Sequence, residues 1–256
     1  MLKRDVILNI VNKKLGPYGK LILLGYGGSI SYGLNTPESD IDIKGIFIPN
    51  KEHLMSIFGR VEQKEVKDTV NKTILEGTIF ALDKYMGLAT KANPNILELM
   101  FLKRKHIIYI STEGELLIKH RNMFLSKQVK HSYGGYAFAQ LQRLDAINEY
   151  VNQNKRRLAR VKKYGYDVKN AMHLFRLLET GIEILTEGEL YVERKDAQFL
   201  RAIMEGTYTL DQIREMANKK FDMLEMAYVN STLPNKVDIE QVEKLYRQII
   251  ELAYAL

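Results

Sequence analysis

The sequence predicts an α+β fold, with a small mixed sheet and helices in residues 1–108 and an all-helical part in residues 109–256. Short apolar runs typical of strands are confined to the first hundred residues. From about residue 112 onward, nearly every segment has the apolar spacing of an amphipathic helix. With 256 residues, 46% of them hydrophobic, the chain is long enough for one large domain or two modest ones.

Three strands are predicted in the first part. Lys20–Gly27, KLILLGYG, is a compact apolar run ended by glycines, which indicates a buried strand followed by a turn. Ser39–Pro49, SDIDIKGIFIP, alternates apolar and polar residues and ends at a proline. Its period of two places Asp40 and Asp42 on one face. Lys72–Glu76, KTILE, is the third and shortest strand.

Helices follow these strands. Thr78–Ala92 has helical apolar spacing and is stopped by the Asn-Pro pair after it, while Asn95–Leu102 is compatible with either helix or strand. The second part is predicted to contain four longer amphipathic helices, at residues 113–153, 168–188, 209–231 and 238–256.

Composition restricts the chemistry. The chain has no cysteine, which excludes disulfides, thiolate zinc sites and a cysteine nucleophile, so any metal must be held by oxygen or histidine. The net charge of +7 favours a polyanionic partner such as a nucleotide or RNA. The apolar run Val6–Val11 is interrupted by Asn9 and is too short for a signal-peptide core or a membrane span. We expect a soluble, cytoplasmic protein with no membrane partner.

The most informative stretch is residues 27–45, GGSISYGLNTPESDIDIKG. Glycines directly after a buried strand let the backbone approach a ligand, and the Gly28 amide with the Ser29 hydroxyl can bind phosphate oxygens. Asp40 and Asp42 on one strand face have Cα atoms about 6.6 Å apart and repel each other unless a cation lies between them. Mg²⁺ is the simplest such cation, because it prefers oxygen ligands and is commonly shared between carboxylates and phosphates.

Other glycine motifs do not fit this stretch. A Walker A loop ends in GK[ST], whereas Gly28 is followed by Ser29 and Ile30. A dinucleotide fingerprint starting at Gly25 has Ile30 where its third small residue belongs. The remaining alternative is a plain turn followed by a solvated strand face, which is common for an isolated pair of aspartates.

The combination of GS, ten residues and DID on a strand resembles the nucleotidyltransferase superfamily that contains DNA polymerase beta. Four blocks, YGGSISYGLNTPESDIDIKGIFIP, LDKYMGLATKANPNILELMF, HSYGGYAFAQLQRL and NAMHLFRLLETGIEILTEGEL, extend the resemblance. Together they are similar to predicted nucleotidyltransferases of bacteria and phages that are associated with RNA repair. The resemblance covers most of the chain and implies a minimal polymerase-beta-like domain followed by a helical domain.

The resemblance also implies roles for particular residues. Asp40 and Asp42 are expected to bind two Mg²⁺ ions, or Mn²⁺ in their place, and Glu76 is expected to complete the metal site at a position where the family usually has aspartate. Gly28 and Ser29 are expected to hold the β- and γ-phosphates of a nucleoside triphosphate. These residues form the expected catalytic and cofactor-binding set.

Further candidates have structural alternatives. Lys44 directly follows the aspartates and can reach a phosphate. Arg176, with His173 in an HxxR block, suits triphosphate binding or, equally, a salt bridge to the first part of the chain. Glu65 and Asp68 are the alternatives to Glu76 as third carboxylate.

Three more features carry a functional and a structural interpretation. Asn93 and Glu98 match family positions, and Asn93 is also a helix stop. His131 and Tyr133 can contact the substrate or serve in helix capping and packing. Lys155–Tyr166, KRRLARVKKYGY, combines dense positive charge with tyrosines, which suits RNA or a solvated helix.

We therefore predict a metal-dependent nucleotidyltransferase that moves a nucleoside monophosphate from a nucleoside triphosphate to an acceptor and releases pyrophosphate. RNA, as a tRNA or an RNA end, is the expected acceptor. The alternatives are transfer to a protein or small molecule, and a non-catalytic, antitoxin-like module of the same fold. The nucleotide preference, the number of nucleotides added and the oligomeric state stay open.

Overall fold

A computed structural model of the protein describes residues 2–37, 39–144 and 155–254, with only the backbone of Lys155 and Arg156. The strands in these ranges are β1 (Gly19–Tyr26), β2 (Ile41–Pro49), β3 (Gln63–Val70), β4 (Thr73–Ala81) and β5 (Ile107–Ile110). They form one five-stranded sheet in the order β3-β4-β2-β1-β5. The β2–β4 pair is parallel and the other neighbours are antiparallel, which confirms the predicted mixed sheet and the α+β class.

Helices surround this sheet and make up most of the later chain. The first group is α1 (Arg4–Leu15), α2 (Gly28–Tyr32), α3 (Lys51–Leu54), α4 (Leu82–Ala89) and α5 (Pro94–Met100). The second group is α6 (Thr112–Lys119), α7 (Gln128–Gln142), α8 (Lys155–Tyr164), α9 (Val168–Glu187), α10 (Ala197–Met204), α11 (Leu210–Asn230) and α12 (Ile239–Tyr254). Short 3₁₀ turns lie at Arg104–His106 and Arg121–Phe124. None of the helices described is long and apolar enough to cross a bilayer.

The sheet has a core on each face. Helix α1 covers one face with an apolar stripe of Ile7, Val11 and Leu15, all buried against β1 and β2 residues such as Phe47. The other face packs on α4 and α5 and shares one larger hydrophobic core with α6, α7, α9 and α11. Strand β5 spans the boundary expected after residue 108, and the division into 1–108 and 109–256 stays a prediction.

The ends of several elements differ from the prediction. The third strand continues to Ala81, where a helix was expected from Thr78, because residues 75–81 of β4 pair continuously with β2. Strand β2 begins at Ile41, so Asp40 precedes it. Elements α1, β3 and β5 were not predicted, and Asn95–Leu102 contributes to helix α5.

The helix predicted at residues 113–153 is also wrong as a single element. It is divided into α6, a 3₁₀ turn that buries Phe124, and α7. The Lys127 amide, just before α7, donates to the Pro234 carbonyl at 2.8 Å instead of continuing a helix. Residues 145–153 of that prediction lie outside the described residues.

Gly77 keeps β4 close to β2. It pairs with Ile43, and a Cβ atom on Gly77 would lie 1.9 Å from the Ile43 carbonyl oxygen. Any larger residue there must push apart the two strands that carry the candidate carboxylates.

Gly77→Ala is expected to lower the free energy of unfolding by about 1–3 kcal/mol, because the clash is with backbone held in a ladder. Urea denaturation measures the change. The matched control is Gly87→Ala in α4, an exposed helical position where a Cβ meets nothing within 4 Å. This control is expected to raise stability by about 0.5–1 kcal/mol. Equal stabilities for the two variants would contradict the close approach at Gly77.

Candidate functional site

The turn after β1 lies directly against Asp42. The Gly27 amide donates a hydrogen bond to the Asp42 carbonyl oxygen at 2.8 Å. Gly28, the first residue of α2, has φ +53°, and a Cβ there would lie 1.9 Å from Asp42 Oδ2. Glycine is therefore required at position 28 by both its backbone conformation and its contact with the carboxylate.

Asp42 and Glu76 are neighbours across the parallel β2–β4 pair. They are register partners, and adjacent strands are about 4.8 Å apart, so their side chains leave the same face of the sheet side by side. Burial raises the pKa of Asp42, and the negative charge of Glu76 raises it further. Asp40, half-buried just before β2, adds a third and weaker negative influence. A cation bound beside Asp42 would relieve this repulsion.

A cavity of about 1200 Å³ opens in front of these carboxylates. Six of the seven site residues predicted from the sequence line it: Gly28, Ser29, Asp40, Asp42, Glu76 and Arg176. The alternative third carboxylates lie on β3, outside this lining, where Glu65 accepts a hydrogen bond from Thr78 and Asp68 accepts one from the Thr69 amide. The cavity geometry therefore favours Glu76 over both alternatives.

Lys44 lies beside the cavity rather than in its lining. Its Nζ donates to the Asn95 carbonyl oxygen at 2.6 Å and contacts Glu98 Oε2 at 3.4 Å. Its positive charge still lowers the pKa of Asp42, although by less than that of Lys169 does. A direct phosphate contact by Lys44 stays a prediction and would require the ammonium group to leave these two partners.

Glu98 is the centre of a buried polar network. Only 4% of it is exposed, and it accepts hydrogen bonds from the Tyr32 hydroxyl at 2.9 Å and from Arg176 Nη1. The Arg176 guanidinium also lies over the Tyr32 ring, 4.3 Å from its centroid. Burial by itself raises the pKa of Glu98, but the charges of Arg176 and Lys44 and the two hydrogen bonds hold that pKa below its usual value. The salt-bridge interpretation of Arg176 is thus confirmed.

The same helix directs further groups at the cavity. Lys169, His173 and Arg176, spaced four and three apart on α9, all line it. The buried Nε of Arg176 has no hydrogen-bond partner in the part of the chain that is described. Burial and the nearby charges of Arg176 and Lys169 lower the pKa of His173 to about 3, so this imidazole is neutral at neutral pH.

Lys169 is a cavity residue that sequence reasoning missed. It is exposed, lines the cavity and lowers the pKa of Asp42 through its charge. Its spacing of four and seven residues from His173 and Arg176 places it on the same helix face, and this was the sequence feature that could have identified it. Of the two residues predicted to contact the substrate or to pack, His131 lines the cavity, whereas Tyr133 is fully buried in the core.

Part of the basic run has a structural role. Arg157 donates to the Asp167 carboxylate and to Asn170 Oδ1, and Arg160 contacts Asp167 at 3.4 Å. Asp167 is buried and caps α9 by accepting from the Lys169 amide at 3.1 Å. The side chains of Lys155 and Arg156 lie outside the described residues.

The donor set fits a hard divalent cation, although no group of three or more histidine, aspartate and glutamate side chains within residues 2–37, 39–144 and 155–254 is already arranged to hold one. Asp42 and Glu76 offer carboxylate oxygens, the ligands that Mg²⁺ prefers. Their mutual repulsion and the space that Gly28 leaves beside Asp42 Oδ2 are the observations that support this fit.

Comparisons with known proteins agree with the family resemblance. The model of RlaP, described as the RNA repair pathway DNA polymerase beta family, matches residues 7–248. An uncharacterized 38.9 kDa protein from the nrdC-mobD intergenic region of Enterobacteria phage T4 is 27% identical over 128 residues. That match covers 46% of this chain and 36% of the phage protein.

A structural comparison gives a weaker likeness. The crystal structure of a nucleotidyltransferase-like protein from Exiguobacterium sibiricum 255-15 aligns over 97% of this chain and 79% of that chain. Its sequence identity is 13% and its TM-score 0.34, too low to support any argument about the site. The family match over residues 7–248 is therefore the finding that carries weight.

Arg176→Met is expected to lower the free energy of unfolding by about 3–5 kcal/mol, because it leaves the buried Glu98 carboxylate without its main cation. Adding Glu98→Gln removes that stranded charge while keeping an acceptor for Tyr32, so the double variant is expected to recover part of the loss. Urea denaturation of both variants measures this. A double variant no more stable than the single one would contradict the pairing.

The pair also predicts an acid dependence. The pKa of Glu98 is lower in the folded protein than in the unfolded chain, where it is about 4.3. The ionised carboxylate therefore contributes fully to the free energy of unfolding above the unfolded pKa, and this contribution is lost as pH falls through the folded pKa. Stability of the Glu98→Gln/Arg176→Met variant is expected to fall less steeply below pH ~4 than that of the wild type.

Proposed function

Since the chain belongs to the RNA repair pathway DNA polymerase beta family, we propose that it is a metal-dependent nucleotidyltransferase that adds a nucleoside monophosphate to RNA. The observation that carries the proposal is the arrangement of Asp42 and Glu76, side by side in a cavity of about 1200 Å³ and directly opposite the Gly28 turn. Such an arrangement offers a cation site next to a place for phosphates.

In this proposal the acceptor hydroxyl oxygen attacks the α-phosphorus of the nucleoside triphosphate. The O–H bond of the acceptor breaks and its proton passes to solvent, a new phosphodiester bond forms, the α–β phosphoanhydride bond breaks, and pyrophosphate leaves. Asp40, Asp42 and Glu76 would hold Mg²⁺, which supplies charge neutralisation at the triphosphate and lowers the pKa of the acceptor hydroxyl.

The remaining residues of the site bind and orient the substrate. Gly28 and Ser29 contact the β- and γ-phosphates, and the Arg176 guanidinium donates to a phosphate oxygen. Lys169 supplies a positive charge on the helical side of the cavity, facing the carboxylates. Catalysis then comes from positioning and from electrostatic stabilisation of the departing pyrophosphate.

RNA is the proposed acceptor because of charge around the cavity. Besides Lys169, the lining includes Arg143, Arg160 and Arg201, and the chain as a whole has a net charge of +7. The net positive charge of the chain favours a polyanionic acceptor over an uncharged small molecule.

The decisive experiment uses nucleoside triphosphates labelled at the α-phosphate, with Mg²⁺ and total RNA. Label is expected on RNA, and triphosphate labelled at the γ-phosphate is expected to leave RNA unlabelled. Asp42→Ala is expected to reduce transfer by about a thousandfold or more, because the cation site is worth several kcal/mol in the transition state. Chelation of Mg²⁺ is expected to abolish transfer.

The matched control is Asp68→Ala, which removes a carboxylate from β3 outside the cavity lining and is expected to leave transfer unchanged. Label on protein instead of RNA would favour a protein acceptor. Triphosphate binding without any transfer would favour a non-catalytic module of the same fold.

Glu76 is expected to act as the third carboxylate. Glu76→Ala should lower kcat by roughly 10²- to 10³-fold, comparable to the loss of one electrostatic group aimed at the reacting centre. Glu76→Asp keeps the carboxylate and restores the residue usual in the family, so it should retain most of the rate. Steady-state kinetics on the same RNA measures both, and a wild-type rate for Glu76→Ala would exclude this role.

A further inference from the structure

One face of helix α7 forms a wall of the cavity that the proposed chemistry does not use. The wall contains Ser132, Gly135, Tyr136, Ala139 and Gln140. Their spacing of three, four, seven and eight residues from Ser132 places them all on one side of the helix. The cavity, at about 1200 Å³, is larger than the 300–1000 Å³ typical of a small-molecule site, so it has room beyond the triphosphate.

Tyr136 is the large aromatic side chain of this wall. It is 43% exposed, and Asn93 Nδ2 lies 3.5 Å from its hydroxyl oxygen. Asn93 caps α5 by accepting from the Asn95 amide at 3.0 Å, and the Asn95 carbonyl in turn accepts from Lys44, two residues after Asp42. A single exposed tyrosine on a surface needs no explanation. This one lies in a cavity and is connected through α5 to the strand with the carboxylates.

Gly135, next to Tyr136, has no structural reason to be glycine. A Cβ added there meets nothing within 4 Å, and its backbone is helical, where glycine costs about 0.5–1 kcal/mol relative to alanine. Its neighbour Gly134 differs, because a Cβ there would lie 3.2 Å from Leu224. Gly135 thus leaves open space on the side of α7 that also carries Tyr136.

Several polar groups of the cavity remain available to a ligand. Ser132 and Gln140 can donate to and accept from the edge of a flat heterocycle. Arg176, only 4% exposed, also lines the cavity, and its buried Nε has no partner among the residues described. His173 is neutral there and so can accept as well as donate.

We infer that this wall of α7 is a nucleobase-binding subsite in which the base stacks on the Tyr136 ring over the gap left by Gly135. Stacking on an aromatic ring tolerates different bases, because every base has a π-face. The inference depends on the proposed function for its ligand class. The base belongs to either the nucleoside triphosphate or the acceptor RNA, and binding measurements can distinguish the two.

The test uses the absence of tryptophan from the chain. Tyr136→Trp introduces a unique indole at the subsite, and a base stacked on it quenches its fluorescence. The matched control is Phe138→Trp on the same helix, which is 53% exposed, contacts Phe221 and lies outside the cavity lining. Both variants are titrated without divalent cation, with ATP and separately with a short single-stranded oligoadenylate.

Quenching of Tyr136→Trp but not of Phe138→Trp is the expected result. Quenching by ATP assigns the base of the incoming nucleotide to the wall, and quenching by oligoadenylate alone assigns the acceptor base. No quenching by either, or equal quenching of both variants, would overturn the inference. Because the readout needs no transfer, a failure here is separate from a failure of the proposed function.

Two further variants test the wall in the native context. Tyr136→Ala is expected to weaken binding of the quenching ligand by about five- to a hundredfold, whereas Tyr136→Phe, which keeps the ring, should bind nearly as the wild type. Gly135→Ala is expected to raise the melting temperature while weakening the same binding. Gly87→Ala, the other open helical glycine, should raise the melting temperature without changing binding. Unchanged binding by Gly135→Ala and Tyr136→Ala would contradict the subsite.

Discussion

The buried carboxylate of Glu98 is the interaction on which the arrangement of the site depends. It lies on α5 and receives Tyr32 from α2, Arg176 from α9 and, at longer range, Lys44 from β2. A buried carboxylate that loses its partners costs several kcal/mol, so these elements cannot move apart independently. The Gly28 turn, the strand with Asp42 and the helix with the cavity-lining cations are thereby fixed to one point.

This network also sets the electrostatics of the cavity. Lys44 is the cation nearest to Asp42 along the chain, but its ammonium group is engaged by Asn95 and Glu98. Burial and the negative charge of Glu76 keep the pKa of Asp42 raised, although the charges of Lys169 and Lys44 lower it. On the helical side, Lys169 adds positive charge to the wall. Carboxylates on one side of the cavity and Lys169 on the other suit a divalent cation bound together with phosphates.

The sequence predicted the parts of the site that are local. The turn glycines and the period of two around Asp42 needed only neighbouring residues. Glu76 was predicted as the end of a strand, but the strand continues to Ala81 because pairing with β2 overrides the helical spacing of that segment. Lys169 and Tyr136 were missed as site residues for a related reason. Spacing shows which residues share a helix face, while tertiary packing decides which face meets the cavity.

The basic run shows how charge density in a sequence can overestimate the charge available to a polyanion. Two of its arginines, Arg157 and Arg160, are paired with the buried carboxylate of Asp167. Asp167 in turn caps α9, the helix that carries Lys169, so Arg157 and Arg160 stabilise the start of that helix. An arginine paired with a buried carboxylate has fewer free donors and a smaller field to offer a phosphate. The positive charge that a nucleic acid would meet is therefore smaller than the composition of the run suggests, although Arg160 also lines the cavity.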